Sequence, residues 1–127
     1  MSLPANLKYT KDHEWITTGG GDAKIGVTAY AVEQLGDIVH IELPEVGKSY
    51  AAGDSFGTIE STKTVSDLYM PVACKVTEVN KAITKKPESL QADAYDGGWL
   101  IKVQMTNPGD VGGLLSADAY QKFISEQ

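Results

Sequence analysis

The chain has 127 residues, 42% of them hydrophobic, and carries 17 acidic against 11 basic side chains for a formal net charge of −6. That length and apolar fraction suit one folded domain over residues 1–127, with a core from about residue 7 to about residue 126. The acidic balance argues against binding to a phosphate backbone, no apolar run approaches a membrane span, and a lone Cys74 rules out an intramolecular disulfide.

The first ten residues, MSLPANLKYT, hold neither a signal-peptide apolar stretch nor an Arg-rich transit pattern. A bacterial cytoplasm is therefore expected, although a mitochondrial matrix chain freed of its leader would read the same. His13–Thr17 and Ala23–Thr28 flank TGGGD, a hairpin with a long turn. Thr28 is placed to cap a short helix over Ala29–Leu35 that Gly36 ends. Asp37–Leu43 alternates, which predicts a strand with Val39, Ile41 and Leu43 on one face and Pro44 as its stop. EVGKSYAAGDS reads as loop or short edge strand, and Lys75–Asn80 as another alternating strand. Residues 81–98 read as a long connection wrapping the surface. Trp99–Met105 puts Trp99, Ile101, Val103 and Met105 on one face. Ser116 then caps a last helix whose stripe is Tyr120, Phe123 and Ile124, with Leu115 and Tyr120 at hydrophobic-staple spacing. The elements add up to a mainly β fold: a small flattened barrel or sandwich of antiparallel sheets with a short internal helix and a C-terminal helix.

Between Gly57 and Val72 lies GTIESTKTVSDLYMPV, two extended segments that reverse at Thr62-Lys63-Thr64 without the Gly, Asn or Asp of a usual tight turn. Phe56, Thr58, Ile59, Thr64, Val65 and Leu68 favour extended backbone, and Ile59, Val65 and Leu68 are expected to pin the hairpin. A lysine on such a tip is, on composition alone, a solvated charge that protects an edge from aggregation. Its setting, with Glu60 and Ser61 before it and Ser66 and Asp67 after it, also suits a tether for a long prosthetic group, because group carriers need a reachable anchor. The segment His13-Glu14-Trp15 reads first as a strand with Trp15 in the core and its neighbours at the surface. His13 and His40 are the only histidines and no cysteine cluster accompanies them, so no metal site is expected. Nor does any constellation point to an independent enzyme: Cys74 has no identified base, TTGGGDAK does not open a helix, and two histidines alone define no triad.

ESTKTVSDLYMPV resembles the lipoyl-lysine signature of glycine cleavage system H proteins. YTKDHEW, IGVTAYAVEQLGDIVHIELPEVG, KVTEVNKAI, GWLIKV and LLSADAYQKF resemble that family too, in family order from Tyr9 to Phe123. The resemblance implies a non-catalytic, monomeric carrier with lipoic acid joined by an amide to Lys63 through lipoate ligase or a lipoyl/octanoyl transferase, with Glu60 and Ser61 beside the attachment point. It implies three partners: a pyridoxal-phosphate glycine decarboxylase (P protein), an aminomethyltransferase (T protein) and a dihydrolipoamide dehydrogenase (L protein). It also implies that the loaded amine rests near Glu14 and Asp67, with Asp12 in the same neighbourhood. Neither nucleic acid nor membrane is an expected partner.

The departures from the family pattern are local. Thr62 and Thr64 replace the common Val and Ala around the lysine. Cys74 stands at a usual Gly and would be strained if that turn needs a positive φ. His40 takes a place usually apolar, LQADAY lacks the common Asn and Pro, and DVGGLL brings two glycines to the lead into the last helix. The alternatives are a lipoyl domain of a 2-oxoacid dehydrogenase, which is shorter and lacks the HEW segment and the terminal helix, and an H-like protein acting mainly as a lipoyl-group relay to other lipoate-dependent enzymes.

Overall fold

Two antiparallel sheets face each other in the computed structural model, which describes residues 4–17, 22–95 and 97–126. The elements in chain order are β1 (Leu7–Tyr9), β2 (Glu14–Thr17), β3 (Ala23–Val27), α1 (Ala29–Leu35), β4 (Ile38–Glu42), β5 (Ser49–Tyr50), β6 (Ser55–Ser61), β7 (Val65–Tyr69), β8 (Cys74–Val79), α2 (Lys81–Lys85), α3 (Ser89–Ala92), β9 (Ile101–Met105), a 3-10 turn (Pro108–Gly113) and α4 (Ala117–Ser125). One sheet has the order β1-β2-β3-β9-β8-β5, the other β4-β6-β7. The expected mainly β sandwich with an internal and a C-terminal helix is what the chain forms. The glycine-rich turn after β2 falls on residues 18–21, outside the described residues.

The main core lies where the sheets meet. Ile25, Val76, Ile101 and Val103 of the large sheet cluster with Ile41, Ile59 and Leu68 of the small one, all buried. Each such side chain contributes roughly 1.5–3 kcal/mol relative to exposure. A second cluster, Leu7, Tyr9, Trp15 and Tyr120, fills the outer face of the large sheet under α4. β2 is consequently buried on both faces. Strand alternation sends Trp15 outward to α4 and Ile16 inward, and Glu14, two residues from Ile16, follows it inward. The expectation that the neighbours of Trp15 lie at the surface is thus corrected: Glu14 is only 2% exposed. Across the sheet, Gly26 stands opposite Trp15, and a Cβ there would come within 2.6 Å of the indole. The missing side chain lets the ring lie flat on the strand.

Other corrections have local causes. The register of β4 against β6 shifts between Ile38 and His40, so Ile38 and Ile41 point inward and Val39 is 50% exposed. Val65 does not pin the hairpin; it is 60% exposed, and Phe56, Ile59 and Leu68 are its buried apolar residues. The connection over 81–98 is not a mere wrap, because Ile83 of α2, Leu90 of α3 and Ala94 enter the core. In the terminal stripe Tyr120 is fully buried, while Phe123 and Ile124 are only partly covered. Cys74 sits buried in β8 without a positive φ, so it is unstrained; the one non-glycine left-handed residue among those described is His13, φ 67°.

Candidate functional site

The hairpin tip is closed by Ser61. Its buried hydroxyl oxygen accepts from the Lys63 and Thr64 amides, each at 3.2 Å, and the Ser61 amide donates to the Thr64 carbonyl at 2.8 Å. One side chain therefore does the turn-closing that Asn or Asp usually does. The Thr62 amide donates to the Asp37 carbonyl at 3.0 Å, which ties the tip to the chain just past α1. Lys63 itself is exposed, on a backbone held from both sides. Its stem lies against Gly36, where a Cβ would stand 2.9 Å from Lys63 Cε. Gly36 has φ 84° and ends α1 by donating to the Val32 carbonyl, so a side chain here would be strained as well as crowded.

A cavity of about 340 Å³ runs along α1 from Tyr30 to Leu35, stopping one residue short of Gly36. Asp12, His13, Ser66 and Asp67 give it a polar wall; Val27, Ile59 and Leu68 give it an apolar one. Two of the sequence-predicted residues, Asp12 and Asp67, thus meet across one space although 55 positions separate them. Both are exposed, and Asp67 accepts from the Tyr69 hydroxyl at 3.4 Å. Glu14 does not line the cavity. Its strand partner Val27 does, and so does Leu68, next to its hydrogen-bond donor Tyr69.

The Glu14 carboxyl is electrostatically unusual. Oε2 accepts from the Tyr69 amide at 2.6 Å, while Oε1 is buried with no hydrogen-bond partner among the described residues. Burial pushes this carboxyl up to about 8; the Tyr69 amide pulls it partly back, and the Asp12 charge pushes it further up. At neutral pH the group is therefore mostly protonated. Glu60 behaves differently from its neighbours. It stands exposed on the small sheet between His40 and Val65 and lines neither this cavity nor the larger one described next.

On the other side of α1 is a second cavity of about 570 Å³, floored by Val32, Leu90 and Ala94 and rimmed by Glu33, Asp37 and Asp93. α1 is the wall common to both. Residues to which the sequence reading gave no part in this wall hold it in place. Gln91 Oε1 accepts from the Ile38 amide at 3.0 Å, and the Tyr95 hydroxyl accepts from the Ala29 amide at 3.0 Å. The Tyr120 hydroxyl bonds both Thr28 and His13 at 2.8 Å. These are contacts over long sequence separations with no local motif; only the Thr28 cap, which accepts from the Ala31 amide at 3.2 Å, was readable in advance.

Comparison with known proteins shows what this sequence and fold are similar to. The family model for the glycine cleavage H-protein matches residues 7–127. A glycine cleavage system H protein from Listeria monocytogenes serotype 4b is 50% identical over 124 residues, covering 98% of this chain and 99% of the relative. One from Koribacter versatilis is 50% identical over 127 residues, covering 100% of this chain and 98% of the relative. The crystal structure of a glycine cleavage system H protein from Mycobacterium marinum superposes with a TM-score of 0.90 at 44% identity, over 97% of this chain and 99% of that one.

Proposed function

The chain belongs to the glycine cleavage H-protein family, and from that premise we propose that it is a non-catalytic, monomeric lipoyl carrier with Lys63 as the attachment point. In this reading it carries the aminomethyl group of glycine from glycine decarboxylase to aminomethyltransferase, and is reoxidised by dihydrolipoamide dehydrogenase. Lipoate ligase or a lipoyl/octanoyl transferase forms the amide on Lys63. Its relatives named above are bacterial, which supports a bacterial cytoplasm as its place of work. Among the described residues no helix is long and apolar enough to cross a membrane.

The observation that carries the reading is the tip: an exposed lysine whose anchor is fixed by Ser61 and by the Asp37 carbonyl. A tether has to be mobile while its base stays put, because partners dock on the domain and the arm must arrive in register. The cavity supports the same reading. Its residues fit a cationic arm, since its polar wall holds Asp12 and Asp67, and Glu14, whose buried Oε1 has no hydrogen-bond partner among the described residues, stands next to His13 in the chain and opposite Val27 in the sheet. Bound on Lys63, lipoic acid supplies a disulfide that accepts a one-carbon unit and a dithiol that is later reoxidised.

The residues of this chain do the rest. Asp12 and Asp67 draw a cation to the cavity, and Val27, Ile59 and Leu68 keep water from it. An ammonium brought near lowers the Glu14 pKa, so its proton leaves to solvent and the carboxylate becomes the cation's partner. An exposed pair alone is worth at most about 1 kcal/mol, so protection relies on the buried Glu14 rather than on the rim. Ser61 holds the tether base, and Glu60 serves as part of the surface beside it.

Intact-mass measurement after expression with a lipoate ligase tests the assignment. The wild type should gain one lipoyl group and Lys63→Arg none, with the fold unchanged. An adduct that survives in Lys63→Arg would sink it.

A further inference from the structure

Tyr120 comes from the last helix of the chain and does not itself line the cavity along α1, yet its hydroxyl reaches His13, which does, and Thr28, which begins α1. It is fully buried and its ring stacks on Tyr9, centroids 5.0 Å apart. Its hydroxyl meets His13 Nδ1 and Thr28 Oγ1, each at 2.8 Å. His13 lines the cavity on one side; Thr28 begins α1, which lines the other.

Donor counting fixes the direction of this relay. Thr28 Oγ1 already accepts from the Ala31 amide and Thr28 is fully buried, so its hydroxyl hydrogen needs an acceptor, and Tyr120 Oη provides it. The Tyr120 hydrogen then goes to His13 Nδ1, which must be unprotonated, leaving the ring proton on Nε2. Reversing the relay, as a protonated His13 would require, strands the Thr28 hydrogen in a buried site at a cost. His13 is also held in the left-handed region, φ 67°, with its amide donating to the Thr10 carbonyl and its carbonyl accepting from the Thr28 amide. A non-glycine residue persists there only where its surroundings fix it.

We infer that Tyr120 is a positioning residue for the cavity beside Lys63: its hydroxyl joins the Asp12-His13 turn to α1 and holds His13 neutral with its proton on Nε2. The purpose of this latch rests on the reading that the cavity receives the arm; the latch itself does not. The groups around the imidazole are consistent with it. Tyr30 and Phe123 pack on the ring at 5.1 and 5.9 Å, and Lys11 Nζ lies over Phe123. Asp12 favours the charged imidazole, but burial outweighs it and lowers the His13 pKa. Glu14, the next residue, is itself mostly neutral at neutral pH, for the reason given above.

The test uses the unmodified chain, so it stands apart from the lipoylation experiment. Nitrogen NMR of His13 across pH should show the Nε2–H tautomer and a depressed pKa in the wild type. Tyr120→Phe keeps the stacked ring and removes the hydroxyl. It should move the His13 pKa toward the ordinary value of about 6.5, mix the tautomers and speed amide exchange at Ala31 several-fold. Thr28→Ser keeps a hydroxyl and should behave as wild type. Tyr9→Phe removes a neighbouring hydroxyl that donates to the Pro4 carbonyl, and should leave His13 unmoved. An Nδ1–H tautomer in the wild type overturns the inference without any variant. So does a Tyr120→Phe chain whose His13 titrates as before, or a Tyr9→Phe chain that shifts His13 equally.

Discussion

At its C-terminal end α1 meets the lysine tip through bonds among near neighbours: Gly36 to Val32, and Lys63 and Thr64 to Ser61, with the Thr62 amide reaching across to Asp37. At its N-terminal end the same helix is tied by side chains from far along the chain, Tyr95 across 66 positions and Tyr120 across 92. One end fixes the tip that carries Lys63 and the other fixes the wall of a cavity. Local bonds suffice for an anchor because the hairpin already has a defined register. A wall between two cavities has no such support and borrows it from the core and from the terminal helix.

Substitutions at the two ends should therefore differ in size and in reach. The largest effect belongs to the remote tie. Tyr120→Ala empties a fully buried site and should cost about 3–5 kcal/mol in a urea melt; a loss under about 1 kcal/mol would mean that α4 is a loosely held tail.

Next comes the carboxyl behind the cavity. The folded chain holds the Glu14 proton up to about pH 8, while a glutamate in the unfolded chain ionises near 4.5. Above pH 4.5 the unfolded chain ionises first, so this group's contribution to stability is complete below that pH and is lost as pH rises toward 8. Relative to Glu14→Gln, the wild type should lose a few kcal/mol across that window, at most about 1.4 kcal/mol per pH unit. Parallel stability curves for the two chains would contradict the account. After loading, Glu14→Gln should release ammonia faster when no aminomethyltransferase is present, and equal decay would free this carboxyl from the protective role.

At the local end, Ser61→Ala should cost only about 1 kcal/mol per lost bond and should speed amide exchange at Lys63 and Thr64 while leaving His13 untouched. Coupled changes at both ends would erase the distinction between them. Smallest of all, Val65→Thr should stay within about 0.5 kcal/mol of wild type, since Val65 is exposed on the flank of the hairpin.

The same contrast explains what could be read from the sequence. The hairpin, its lysine, the Thr28 and Ser116 caps and the stop at Gly36 are local patterns, and all were legible. Val39 was misplaced because a bulge adds a residue to β4, which breaks a simple alternation. Glu14 was misjudged because a strand buried on both faces puts a polar residue inside as readily as an apolar one. The cue was its spacing of two from Ile16, on the face away from Trp15. The helices within residues 81–98 had one signal, Asn80, whose side chain caps α2 by accepting from the Ile83 amide. His13 carried no sign of its left-handed backbone, since that is imposed by Thr10, Thr28 and Tyr120 rather than by its own preference. Of the candidate site, Lys63 as the proposed attachment point and the carboxylates Asp12 and Asp67 followed from the family resemblance. Their meeting across one cavity, and the role of Tyr120, needed the tertiary structure.

Glycine-dependent exchange of labelled bicarbonate, run with a purified glycine decarboxylase, tests the carrier role most directly. The lipoylated chain should support exchange, and the unmodified chain and Lys63→Arg should give only background. Equal exchange with the unmodified chain, or none with a chain proven to be lipoylated at Lys63, would contradict it.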